Sequence, residues 1–150
     1  MLNSKSLRFG VLGLENNEEE FIATLDKMIK FTVAIIKGTE ELREEIKDYD
    51  DIYQILITDI DYNFWFKVAN GSILYKKGIN RAASFRIRYQ KDTFIKILKR
   101  ELDGTDAFMK GKIKVDGSLS QGLRFTKLFR LFIRYINEMV HKGTKSLSVL

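Results

Sequence analysis

The sequence predicts an α+β fold, with helices segregated from a mostly antiparallel sheet in one domain. Three observations carry that reading. Apolar residues recur at helical spacing over 17–37 and again over 119–141. Between 52 and 90 the period changes to two, in segments rich in β-branched and aromatic residues. Turn signals divide those segments, and Asn70-Gly71 is the best short hairpin signal in the chain. A length of 150 residues suits a single domain that can bury a real core.

The first helix, 17–37, is capped by Asn16 or Asn17, and Glu18, Glu19 and Glu20 suit the positive end of its dipole. Phe21, Leu25, Met28, Ile29, Thr32, Ile35 and Ile36 form its stripe, and Lys37-Gly38 supplies a basic last turn and a stop. A short, strongly charged helix follows from Thr39, with Thr39 to Leu42 as a partial cap and Leu42, Ile46 and Tyr49 on one side.

Strands come next. IYQILITDI is the first, and NFWFKVANG the second, with Phe64, Phe66 and Val68 on one face and Trp65, Lys67 and Ala69 on the other. SILYKKG is its hairpin partner. AASFRIRYQ then sets Phe85, Ile87 and Tyr89 against Arg86, Arg88 and Gln90, as in a sheet covered on one side only. The segment 91–102 returns to helical spacing, burying Phe94, Ile95, Ile97, Leu98 and Leu102 and stopping at Asp103-Gly104. DAFMK adds a helical turn, and KIKVD is the last strand, with Ile113 and Val115 inward. Ser118 opens the final helix, 119–141. Its apolar set is Leu119, Leu123, Phe125, Leu128, Phe129, Phe132, Ile133, Ile136, Met139 and Val140.

The inventory for catalysis is thin. No cysteine is present, so disulfides, thiolate chemistry and cysteine-held metal are excluded. The single histidine, His141, has no second histidine with which to bind metal, and a solvated place near a helix end accounts for it. Glu40, Glu41, Glu44 and Glu45 read as a solvated helix face. Asp50, Asp51, Asp59 and Asp61 lack the spacing of a calcium loop. GLENNEEE lacks the lysine of a phosphate-cradling loop. Neither an enzyme nor a cofactor is expected.

Charge is uneven along the chain. Residues 1–75 carry 8 Lys/Arg against 14 Asp/Glu, whereas 76–150 carry 18 against 6. Such asymmetry favours anionic partners, or two halves that neutralise each other. Arg86 and Arg88, near Lys76, Lys77, Arg81 and Lys91, could contact phosphates. A single-strand binder interleaves aromatics with such charges. Here Phe85 and Tyr89 fall on the opposite face, so no nucleic-acid partner is expected. There is no apolar run of 18 residues, and the start lacks a full signal-peptide layout, so a cytoplasmic location is expected.

The order of three segments is more specific than any of them alone. NFWFKVANGSI, AASFRIRYQKDTFIKIL and ELDGTDAFMKGKIKVDGSLSQGLRF together resemble the sterol carrier protein-2 domain family over about residues 40–130. Ala107, Phe108, Met109, Gly111, Lys112, Ile113, Lys114, Val115 and Gly117 match the family's Ala-Phe-Met-x-Gly-Lys-(Leu/Ile)-Lys-(Leu/Ile/Val)-x-Gly pattern position for position. Two departures stand out: Phe64 takes the family's bulky position, with Trp65 one place over, and the tail Ser148-Val149-Leu150 is not the peroxisomal address of some members.

The resemblance implies a five-stranded, mostly antiparallel sheet with helices on one face. It also implies a non-catalytic role, with an apolar tunnel between sheet and helices for a sterol, fatty acid, acyl-CoA or similar lipid. The candidate lining is Phe64, Phe66, Val68, Phe85, Ile87, Phe94, Leu98, Phe108, Met109, Ile113, Leu119, Leu123 and Phe125. Lys110, Lys112, Arg124, Lys127, Arg130 and Arg134 are candidates for docking on an anionic membrane. The expected organisation is an N-terminal extension with one apolar helix over 1–38, the lipid-binding domain over 39–141, and a tail over 142–150. An alternative is an accessory module that binds a partner enzyme, a membrane or a second copy without carrying lipid. Phe31, Val33, Ile35 and Ile36 of the extension would supply the pairing face of a homodimer.

Overall fold

The structure, a computed structural model, describes Leu14 and residues 17–149. Most of the expected extension before residue 17, and the final Leu150, lie outside the described residues. Helix α1 spans Glu18–Gly38 and begins where the Asn17 side chain accepts a hydrogen bond from the Glu20 N–H at 2.9 Å. Thr39 was expected to cap the next helix, α2 (Glu40–Glu45). Instead its hydroxyl donates to the Ile35 carbonyl at 2.6 Å. The carbonyls at the end of α1 lack intrahelical partners, and this hydroxyl is well placed to satisfy one.

Five strands follow: β1 (Asp50–Ile57), β2 (Tyr62–Ala69), β3 (Ser72–Lys77), β4 (Phe85–Tyr89) and β5 (Lys114–Asp116). Their spatial order is β3-β2-β1-β4-β5. β2 and β3 form the hairpin that Asn70-Gly71 predicts, with both residues in the left-handed region at φ 55° and 71°. The chain then crosses back and lays β4 beside β1 in parallel, the one parallel pair in the sheet. Gln54 holds the crossing in place. It is buried, its amide nitrogen donates to the Gly78 carbonyl at 3.0 Å, and its oxygen accepts from the Asn80 N–H at 2.8 Å.

Helix α3 (Lys91–Leu98) is shorter than its periodicity suggested. Arg100 takes φ 61°, and the N–H groups of Glu101 and Leu102 both return to the Lys96 carbonyl, a left-handed helix stop. Asp103 therefore does not end α3. It opens α4 (Gly104–Met109), accepting from the N–H groups of Thr105 and Asp106 at 2.8 and 3.1 Å. Helix α5 begins at Leu119 behind a reciprocal cap: Gln121 N–H donates to Ser118 Oγ, and Ser118 N–H donates to Gln121 Oε1. It continues to Val149, eight residues beyond the expected end, because a lone glycine at 143 is a weak stop and no proline follows.

The core lies between the inner sheet face and α1, α3 and α5. Tyr53, Ile55, Phe64, Phe66, Val68, Phe85, Ile87 and Tyr89 point into it from the strands. Helix α5 answers with Phe125, Leu128, Phe132, Ile136 and Val140, and α1 with Phe21, Leu25, Met28, Ile29 and Ile36. Each such side chain, fully buried, contributes roughly 1.5–3 kcal/mol.

Candidate functional site

A cavity of about 960 Å³ opens beside the β4–β5 end of the sheet. Its floor is the inner face of β4, through Phe85, Ile87 and Tyr89, with Val115 of β5 alongside. Helix α4 and the loop before it form one wall through Leu102, Thr105, Phe108 and Met109. The other wall is α5, which lines the cavity from Leu119 to Ile133, about 21 Å of helix at the standard rise.

Helix α5 thus carries two apolar stripes. Phe125, Leu128, Phe132, Ile136 and Val140 face the core and are buried. Leu119, Leu123, Phe129 and Ile133 run beside them and border the cavity. At the mouth the apolar groups remain open to solvent: Phe108 is 52% exposed, Met109 78%, Leu119 80% and Leu123 64%. Exposure of large apolar groups to that extent, clustered at one opening, marks an interaction site.

Glycines shape the opening. Gly111 at φ 73° turns the chain out of α4 toward β5. Gly117 takes φ 142°, and a Cβ there would stand 2.7 Å from Phe85 Cδ2, inside contact distance. At Gly122, by contrast, an added Cβ would meet Phe85 Cε2 at an ordinary 3.7 Å. A side chain at 122 would therefore take cavity space without a clash.

Eight of the thirteen expected lining residues border this cavity: Phe85, Ile87, Phe108, Met109, Ile113, Leu119, Leu123 and Phe125. The other five do not. Phe64 meets Tyr75 edge-on, Phe66 packs against Tyr75 at a tilt, and Phe66 meets Phe132 at a ring separation of 4.9 Å, which fills that end of the interior. Val68 is sealed, Leu98 is fully buried, and Phe94 packs among Phe21, Tyr89 and Phe129. Sequence reasoning missed apolar parts of the wall, namely Tyr89, Ile97, Leu102, Val115, Phe129 and Ile133, and its polar part, namely Arg100, Asp103, Thr105, Ser118 and Thr126, and it missed the cavity role of Arg130. Only the left-handed stop after α3 could have drawn attention to Arg100, and no glycine marks it.

The basic residues sort differently from expectation as well. Arg124 grips Asp51 with two hydrogen bonds, Nε to Oδ2 at 2.7 Å and a terminal nitrogen to Oδ1 at 3.0 Å. It ties α5 to β1, because a buried carboxylate demands a fixed counter-charge. Tyr53 donates to the same Asp51 carboxylate at 2.6 Å, and Tyr49 donates to the Arg124 carbonyl at 3.2 Å. Burial acts to raise the Asp51 carboxyl, but the bonds from Arg124 and Tyr53 outweigh it and hold it below the usual carboxylate range. Arg134 pairs with Glu138 at 3.4 Å. Lys110, Lys112 and Lys127 are exposed.

On α1, Val33 and Ile36 are buried and Ile35 is partly buried, which leaves Phe31 exposed from the expected pairing face. No helix among the described residues is long and apolar enough to cross a membrane.

The arrangement of strands and helices recurs in solved proteins. Sterol carrier protein 2 from Yarrowia lipolytica, in its apo form, superposes with a TM-score of 0.56 at 16% identity, covering 73% of this chain and 86% of that one. Palmitated SCP2L2 from Aedes aegypti gives 0.53 at 13%, covering 67% and 89%. A double mutant of the sec-alkyl sulfatase PisA1 gives 0.56 at 20%, covering 77% of this chain but only 17% of the enzyme. At such identities the likeness is one of fold. No curated protein sequence matches the chain. The SCP-2 sterol transfer family matches residues 21–130, a span that begins within α1, and the chain belongs to that family.

Proposed function

We propose that this protein is a non-catalytic lipid carrier. It takes a fatty acyl or sterol-like molecule into the cavity between β4–β5, α4 and α5 and exchanges it at membranes. The observation that carries this reading is the cavity itself: about 960 Å³, walled largely by apolar side chains, at the upper end of the roughly 300–1,000 Å³ typical of small-molecule sites. Membership of the SCP-2 sterol transfer family supports it, as does the palmitated state of the Aedes aegypti relative in fold.

Burying a methylene contributes roughly 0.8 kcal/mol, so a sixteen-carbon tail gains on the order of 12 kcal/mol gross against water. Measured from a bilayer the gain nearly vanishes, since the tail starts in hydrocarbon. Loading and release at a membrane are then both accessible. The exposed rim of Met109, Leu119 and Leu123 would enter the interface, with Lys110, Lys112 and Lys127 beside it, each basic group worth about 1 kcal/mol near an anionic surface.

The test is lipid retention. After incubation with vesicles, with and without anionic lipid, and re-purification, mass spectrometry of a solvent extract should find bound lipid in the wild type. Anionic vesicles should load it faster, and Gly122→Leu, which fills the cavity, should retain much less. An empty wild-type protein would end the carrier reading, and equal loading from both vesicles would end the role of the lysines.

A further inference from the structure

We infer that Tyr89 sets a specificity of this cavity: its buried hydroxyl pairs with an uncharged oxygen carried partway along the lipid tail, so the protein favours a tail bearing a hydroxyl or carbonyl deep in the cavity over a plain hydrocarbon tail. This rests on the carrier reading above, in which the polar head stays at the mouth.

Tyr89 ends β4, and its side chain lies on the buried face with those of Phe85 and Ile87. Its backbone carbonyl is engaged, accepting from the Thr58 N–H at 2.9 Å. Its hydroxyl is not. Tyr89 is 2% exposed, and among the described residues the phenol has no hydrogen-bond partner. The other buried tyrosines are all engaged. Tyr53 donates to Asp51 at 2.6 Å, Tyr49 to the Arg124 carbonyl at 3.2 Å, and Tyr62 meets the Tyr75 hydroxyl at 3.3 Å. Native interiors leave few buried polar groups unpaired, and an orphan costs more than its hydrogen bond would gain.

The rings around Tyr89 offer no remedy. Phe94 meets it edge-on at 5.1 Å between centroids, and Phe129 stacks on it at 6.3 Å. Neither carries a polar side-chain atom. What else borders Tyr89 is the cavity, whose floor it helps to form, so a partner has to arrive from there. A lone water fits poorly, since a buried water makes about three hydrogen bonds and these rings supply none. An oxygen held covalently in a lipid tail needs no such cage.

Charge and position agree. Burial pushes the Tyr89 phenol up, so it remains a neutral donor. A neutral donor among aromatic rings suits an uncharged acceptor, because a buried carboxylate requires a fixed counter-charge. Phe129, stacked on Tyr89, follows Leu119 at the mouth by ten residues, about 15 Å along α5. The recognised oxygen therefore lies well inside, away from a head group at the rim.

Titration calorimetry on the full chain with stearate, 12-hydroxystearate and 2-hydroxystearate, each delivered from cyclodextrin, tests this. A hydroxyl buried in a wholly apolar cavity weakens binding. We expect 12-hydroxystearate to bind at least as tightly as stearate, and 2-hydroxystearate, whose hydroxyl stays at the mouth, to gain nothing. Tyr89→Phe should weaken 12-hydroxystearate relative to stearate by about tenfold. The empty variant should melt no lower than wild type, because the lost hydroxyl had no partner. Much weaker binding of 12-hydroxystearate than stearate by the wild type, a gain confined to 2-hydroxystearate, an unchanged ratio in Tyr89→Phe, or a lower melting temperature for that variant would each overturn the proposal and leave the carrier reading standing. Failure of all three probes to bind would overturn both.

Discussion

Helix α5 meets the two ends of the sheet in opposite ways. At the β2–β3 end it presses Phe132 onto Phe66, and Tyr62, Phe64, Phe66 and Tyr75 interlock behind it. At the β4–β5 end it stands over Phe85, Ile87 and Tyr89 with a cavity between. Both ends are apolar, so hydrophobicity does not separate solid from hollow. What separates them is the supply of side chains from above. Helix α1, 21 residues long, packs against β3 at the solid end. At the hollow end α4 has only 6 residues, and Gly104, Gly117 and Gly122 border the space without a side chain to fill it. A core is filled when facing elements deliver enough volume, and interiors tolerate few voids larger than a water molecule unless something holds them open.

The largest effect should come at the solid end. Phe66→Ala removes a buried ring that packs against Phe64, Tyr75 and Phe132 and should lower unfolding free energy by about 3–5 kcal/mol. Leu123→Ala at the hollow end should change it by less than about 0.5 kcal/mol, as expected of an exposed position. Urea denaturation monitored by circular dichroism compares the two, and equal losses would erase the distinction between the ends.

An intermediate effect belongs to the tie between β1 and α5. Asp51 is 2% exposed in its side chain and Arg124 35%. Asp51→Asn should therefore destabilise by about 2–3 kcal/mol, below the roughly 3–5 kcal/mol of a fully buried pair. Its pH dependence has a definite sign. The Asp51 carboxyl is held below its unfolded value, so the folded state releases that proton more readily than the unfolded chain does. The contribution is complete above the unfolded value of about 4 and is lost as pH falls through the folded value. Asp26 adds in the same direction: burial acts to raise it, but Tyr75, Lys30 and Lys77 hold it low. Acid titration of thermal stability should show a steep fall below about pH 4 in the wild type and a shallower one in Asp51→Asn. Parallel curves would remove Asp51 from the acid response.

The smallest effect sharpens the boundary of the cavity. Gly117→Ala places a methyl against Phe85 and strains the backbone, at a cost of about 1–3 kcal/mol. Because Phe85 is part of the floor, lipid retention should drop along with the melting temperature. Unchanged retention would show that the floor ring does not touch the ligand.

Much of the fold was legible in residue order. Period-two alternation put Phe64, Phe66, Val68, Phe85, Ile87 and Tyr89 on the buried face, and the Asn70-Gly71 turn set the β2–β3 hairpin. The parallel pairing of β4 with β1 was not legible, because alternation reports a strand's faces and not its neighbour. The site was legible only in part for a similar reason. Phe66 and Leu123 look alike as apolar residues on periodic segments, yet one is core and the other rim. Arg124 and Arg130 look alike as basic residues on one helix, yet one meets Asp51 across 73 positions and the other meets the cavity.

Local chemistry by itself determined which segments are helix and strand, where most of them start, and which face of each is apolar, since periodicity and capping act over a few residues. Tertiary structure alone decided where the interior is full and where it is hollow, and which arginine is tied down. Volume and counter-charge are delivered by elements far apart in the chain, and their balance exists only once those elements meet.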